Sequence, residues 1–215
     1  MSGANDHHHH HGPHGHTHGL VDDEIKRSRA GVRAVTLSFA VLALTALAQG
    51  AVLVALSDSV SLLADVIHNL GDAATAIPLG IAFLLRSASA ERTAGLFVVA
   101  AIFVSALVAA YETVDRLIDP REVEYLGALA AAGLVGFAGN ALAATIRTRA
   151  GRRLDSPALI ADGAHARADA YVSLAVVASA AVLALGLQRA DPLIGLCITA
   201  VIVRITIDSW RTVRA

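Results

Sequence analysis

Past a polar opening stretch, the chain alternates between long apolar runs and short charged joints. Six apolar segments stand out, at about 34–56, 59–85, 94–114, 124–146, 157–187 and 191–210. Each can cross a hydrocarbon layer of ~30 Å, which takes about 20 residues at helical rise. Lipid offers no partner to open backbone groups, so each segment is expected to be a helix. The pattern predicts an all-α, polytopic membrane protein with six transmembrane helices over 31–215. A polar stretch rich in His and Gly over 1–30 is expected to be a disordered cytoplasmic tail. No short apolar core with a cleavage site precedes the first span, so no removable signal peptide is expected.

Composition sharpens this picture. Of 215 residues, 55% are hydrophobic and only 16% charged. Soluble domains carry closer to a quarter charged residues. A net charge of −1 leaves no footprint for nucleic acid. Cys197 is the single cysteine, which excludes an intrachain disulfide or a thiolate metal cluster and reads as a small packing residue. Aromatics are 4% and alanine is abundant, which suits close helix–helix packing in lipid.

Charge sets an expected orientation. Lys26, Arg27, Arg29 and Arg33 precede the first span, and Arg86 and Arg92 fall between the second and third. Arg147, Arg149, Arg152 and Arg153 are assigned to the joint between the fourth and fifth, and Arg211 and Arg214 follow the sixth. That makes twelve positive residues on one side against Arg116, Arg121 and Arg189 on the other. Both termini are therefore expected in the cytoplasm, in a multi-pass protein of the inner (cell) membrane.

The candidate chemistry occurs twice. The stretch from Asp58 to Ala73 reappears 97 residues later from Asp155 to Ala170, with eight of sixteen positions identical. The shared positions include every member of D-x-x-H-x-x-x-D: Asp65, His68 and Asp72 in one copy, Asp162, His165 and Asp169 in the other. Spacings of three and four put all three polar groups on one helical face. Two helices, each with a His and an Asp one turn apart, supply the four-ligand N/O set that Zn2+ takes. The expected topology makes the two helices antiparallel and puts both pairs near the bilayer midplane, a plan found in secondary transporters.

A charged Asp at a helix centre costs roughly 2.5–3.5 kcal/mol on insertion scales. Structural hydrogen bonding would explain one or two such residues but not a paired, identically spaced set, so metal or proton transport is the stronger reading. His68, Asp72, His165 and Asp169 are the candidate metal ligands. Asp65 and Asp162 could orient a histidine, relay protons or line an access path. Arg167 points to another helical face and is expected to pair with an acid or snorkel. Asn69, Asn140 and Gln49 read as interhelical hydrogen bonds rather than ligands. In the tail, His7, His8, His9, His10, His11, His14, His16 and His18 form a candidate metal-capture segment. Motifs for zinc proteolysis, serine hydrolysis and phosphate cradling are absent from the sequence.

With these residues in hand, the chain resembles the cation diffusion facilitators, the family that includes zinc exporters, over about residues 26–215. Six spans, cytoplasmic termini, and "SLLADVIHNLGD" and "SPALIADGAHARADA" in the second and fifth spans carry the resemblance. It implies that His68, Asp72, His165 and Asp169 form the transport site, with His at the first position favouring zinc. Members usually continue into a cytoplasmic domain after the sixth span. This sequence ends at "DSWRTVRA" and resembles those that lack it, or is a truncated form. The resemblance also implies a homodimer, resting here on the membrane spans.

The expected activity is divalent-cation/proton antiport that exports Zn2+, with Cd2+ or Co2+ as further cargo. Its partners are metal ions, protons and the bilayer; no organic cofactor or enzymatic role is expected. Other main substrates (Mn2+, Fe2+, Ni2+ or Co2+), a membrane-bound metal sensor or buffer, and an intramembrane metallohydrolase are the competing readings.

Overall fold

A computed structural model describes residues 17–56, 75–118, 125–187 and 190–214. These form six helices, with no strand among the described residues: α1 Thr17–Leu56, α2 Ala76–Leu85, α3 Ala88–Ile118, α4 Leu126–Leu154, α5 Pro157–Ala184 and α6 Ala190–Arg214. Five contain stretches long and apolar enough to span a bilayer, and α2 is a shorter apolar helix. The all-α polytopic architecture is thus as expected. Of the second expected span, only the part from Thr75 is described; the earlier part lies outside the described residues.

Large apolar side chains cover much of the exterior, and polar and charged side chains sit inside among the apolar ones. Leu44, Leu47, Phe97, Phe103, Leu134 and Leu174 are exposed, while Ser38, Thr45, Gln49, Asn140, Arg147, Asp162, His165 and Asp169 are buried. Water would reverse that distribution; a lipid surround accounts for it.

Two helix boundaries differ from the expectation. α1 begins at Thr17, so residues 17–30 are helical and not part of a disordered tail. The extension has a docking reason. Arg27 Nε donates to Leu154 O at 3.0 Å, its guanidinium pairs with Glu91 at 3.0 Å, and Ser28 Oγ donates to Phe83 O at 2.7 Å. These contacts clasp α1 to the ends of α2, α3 and α4.

α4 runs to Leu154, well past the expected end near 146. Arg147 is therefore an intrahelical residue, 1% exposed, and not part of a charged joint. Apolar side chains end before the helix does, because backbone hydrogen bonding does not depend on them. The true joint is Asp155–Ser156. Asp155 adopts a left-handed conformation, and its N–H reaches Gly151 O as the cap of α4. Ser156 Oγ accepts from Leu159 N at 3.2 Å, and Pro157 opens α5, a strong N-terminal signal.

So short a turn makes α4 and α5 antiparallel and close. At Gly163 a Cβ would sit 2.8 Å from Thr148 N and 3.2 Å from Ala144 O. Only glycine lets the two backbones approach this far. Helix α5 is the central element. It packs on α4, which also packs on α1, and its other side meets α3 and α6. Val98, Ile102, Ala161, Ala168 and Ile202 fill the second of these seams.

Candidate metal centre

His165 and Asp169 lie on the buried face of α5, 0% and 4% exposed. His165 Nδ1 stands 3.7 Å from Asp169 Oδ2, one turn along the helix. Eight and twelve residues from Pro157, they sit roughly 12 and 18 Å into the helix. For a bilayer ~30 Å thick whose face lay at Pro157, that depth would be near its middle. Arg167, between them in sequence, is exposed on another face, as expected.

One turn before His165, Asp162 is fully buried and ion-paired. Its Oδ1 is 3.0 Å from Arg147 Nη1 on α4. Arg147 Nε donates to Ser38 Oγ on α1 at 2.9 Å, and Thr75 Oγ1 donates to Asp162 Oδ1 at 3.4 Å. Asp162 therefore joins α1, α4, α5 and the residue that opens α2. Its described contacts run to Arg147 and Thr75, not to His165. Sequence reasoning missed Arg147 by assigning it to a loop. An arginine seven residues inside a helix end, directly before the second motif, was the available signal.

Thr75 matters for a second reason. It follows Asp72 by three residues, the same interval that separates Asp162 from His165. The Thr75–Asp162 contact ties the residue before α2 to the second motif copy. Asp65, His68 and Asp72 lie outside the described residues, as do His7, His8, His9, His10, His11, His14 and His16. His18 falls in the first turn of α1. Among the described residues no group of three His, Cys, Asp or Glu side chains converges, so His165 and Asp169 stand there as a pair.

Two intramembrane amides behave differently. Gln49 donates from Nε2 to Ala132 O at 3.2 Å, the expected interhelical bond. Asn140 was expected to do the same and does not. It is 1% exposed, and neither Oδ1 nor Nδ2 has a hydrogen-bond partner among the described residues.

The sequence is similar to known proteins. Residues 35–213 match the model of the cation efflux transmembrane domain. The "Probable cation efflux system protein Rv2025c" of Mycobacterium tuberculosis H37Rv is 50% identical over 204 residues, covering 90% of this chain and 61% of that protein. The "Uncharacterized transporter sll1263" of Synechocystis sp. PCC 6803 is 35% identical over 155 residues, 66% of this chain and 50% of that protein. The "Uncharacterized transporter MJ0449" of Methanocaldococcus jannaschii is 24% identical over 165 residues, 72% of this chain and 58% of that protein. The chain thus spans about three-fifths of the length of the Mycobacterium relative. A family match over most of the sequence and a multi-pass apolar architecture agree: the chain belongs to the cation efflux family.

Proposed function

We propose that this chain exports Zn2+, with Cd2+ or Co2+ as further cargo, in exchange for protons. The observation that carries the reading is the His165–Asp169 pair, one turn apart and buried near the centre of a membrane-spanning helix. Ionisable side chains inside the membrane are expensive, and such residues mark ion pathways. His68 and Asp72 repeat the same spacing and complete a four-ligand tetrahedral set. The contact of Thr75 with Asp162 supports their convergence with the second pair.

Ligation needs neutral histidine and ionised aspartate, so cation binding expels protons and protonation expels the cation. A site open to a near-neutral cytoplasm loads metal; the same site open to a more acidic exterior takes protons and releases it. Rocking of α4 and α5 against their neighbours would alternate the exposure. The protein has no enzymatic role in this reading and works as a homodimer in the inner membrane with both termini in the cytoplasm. The tail histidines raise metal concentration near the entrance without shaping the central site.

The test is Zn2+ uptake into proteoliposomes holding the purified protein, with a pH-sensitive dye inside. Zinc uptake coupled to proton movement in the opposite direction is the expected result. A protein that binds zinc but drives no flux would instead be a sensor or buffer.

A further inference from the structure

Among the described residues, Asn140 is the intramembrane amide whose neighbours leave it unused, and the packing of α4 on α5 fixes what lies opposite it. The two helices touch at Arg147 and Asp162, 3.0 Å apart. Seven residues back along α4 and seven forward along α5 cover two turns in each helix, ~10.5 Å, and return to the same faces. These steps land on Asn140 and Asp169. Four residues further, at Gly136 and Ser173, the helices touch again: a Cβ on Gly136 would lie 2.8 Å from Ser173 Oγ. Asn140 and Asp169 are thus bracketed by two contacts of the same pair of helices.

Helix α1 covers the same level from the other side. Thr45 packs directly on Gly139, and Gln49 Nε2 would lie 2.8 Å from a Cβ on Gly136. Both polar atoms of the Asn140 amide are sealed in this space without a partner among the described residues. An unsatisfied buried amide group is destabilising. A leucine of nearly the same shape would avoid that cost.

We propose that Asn140 is a donor of the cation site: its Oδ1 binds the divalent cation held by His165 and Asp169. A carboxamide oxygen adds a hard, neutral ligand without adding charge, and so widens the range of cations the site accepts. This assignment rests on the transport-site reading of His165 and Asp169, and it deepens that reading by naming a residue on a third helical segment.

The test uses the full chain in detergent, with Co2+ as the probe, in three forms: wild type, Asn140→Leu and Asn140→Asp. Asn140→Leu is expected to melt, metal-free, at or above the wild-type temperature, because it removes the unsatisfied amide. It is expected to bind Co2+ about tenfold or more weakly, with displaced visible d–d bands. Asn140→Asp, which keeps an oxygen donor, is expected to restore binding. Unchanged Co2+ affinity and spectrum in Asn140→Leu would overturn the proposal. So would a lower metal-free melting temperature with unchanged binding, the mark of a purely structural amide. Wild-type protein that shows these binding effects but carries no metal into vesicles would sink the transport reading while leaving the donor assignment supported.

Discussion

Arg147 on α4 and Asp162 on α5 form an ion pair of 3.0 Å in which the side chains are 1% and 0% exposed. The pair lies between the turn at Asp155–Ser156 and the His165–Asp169 pair. Ser38 on α1 and Thr75 before α2 hydrogen-bond to it. It is the joint at which the helices around the candidate site are held in register.

Removing one partner leaves the other as an unpaired charge in a low-dielectric interior. Arg147→Met is therefore expected to destabilise the fold by about 3–5 kcal/mol. The double variant Arg147→Met, Asp162→Leu removes both charges and is expected to recover most of that loss. Denaturant titration of the three proteins in one detergent checks this. Equal stability of the single and double variants would mean that the pair is not the source of the effect.

Close approach of α4 and α5 rests on Gly163, where a Cβ would meet backbone atoms of Thr148 and Ala144. Backbone cannot swing aside as a side-chain end can. Gly163→Leu should force the helices apart, cost at least the 1–3 kcal/mol typical of overpacking, and shift His165 and Asp169 relative to α4. Loss of zinc flux with lowered thermal stability is the expected outcome. A fully active and stable Gly163→Leu protein would show that the interface yields more easily than its geometry implies.

Selectivity offers a third check. His68→Asp replaces an imidazole with a harder oxygen donor. Transport is expected to persist but to widen toward Cd2+ and Mn2+. Competition against Zn2+ with a panel of metals in vesicles reads the change directly. Relative affinities identical to those of the wild type would locate selectivity away from residue 68.

Much of this was legible in the sequence, for identifiable reasons. Apolar run length reveals membrane helices because the bilayer fixes the length required. The repeated D-x-x-H-x-x-x-D is visible because helical periodicity turns spacing into a face. Three features were not legible. The helix at Thr17 depends on Arg27 and Ser28 docking on distant elements. Arg147 looks like a loop charge because hydropathy follows side chains, whereas the helix follows backbone hydrogen bonds. That Asn140 lacks a partner among the described residues depends on the register of α4 against α5, which no single-segment pattern encodes.

The central claim is that the intramembrane His–Asp pairs carry the cation. Asp169→Ala removes one proposed ligand together with a buried carboxylate, so the protein should remain folded and inserted with stability unchanged or raised. The most direct measurement is the initial rate of Zn2+ entry into proteoliposomes across an imposed pH difference, comparing wild type with Asp169→Ala at equal reconstituted amounts. The account predicts rapid entry for the wild type and none above empty liposomes for the variant. Wild-type rates in Asp169→Ala would contradict it.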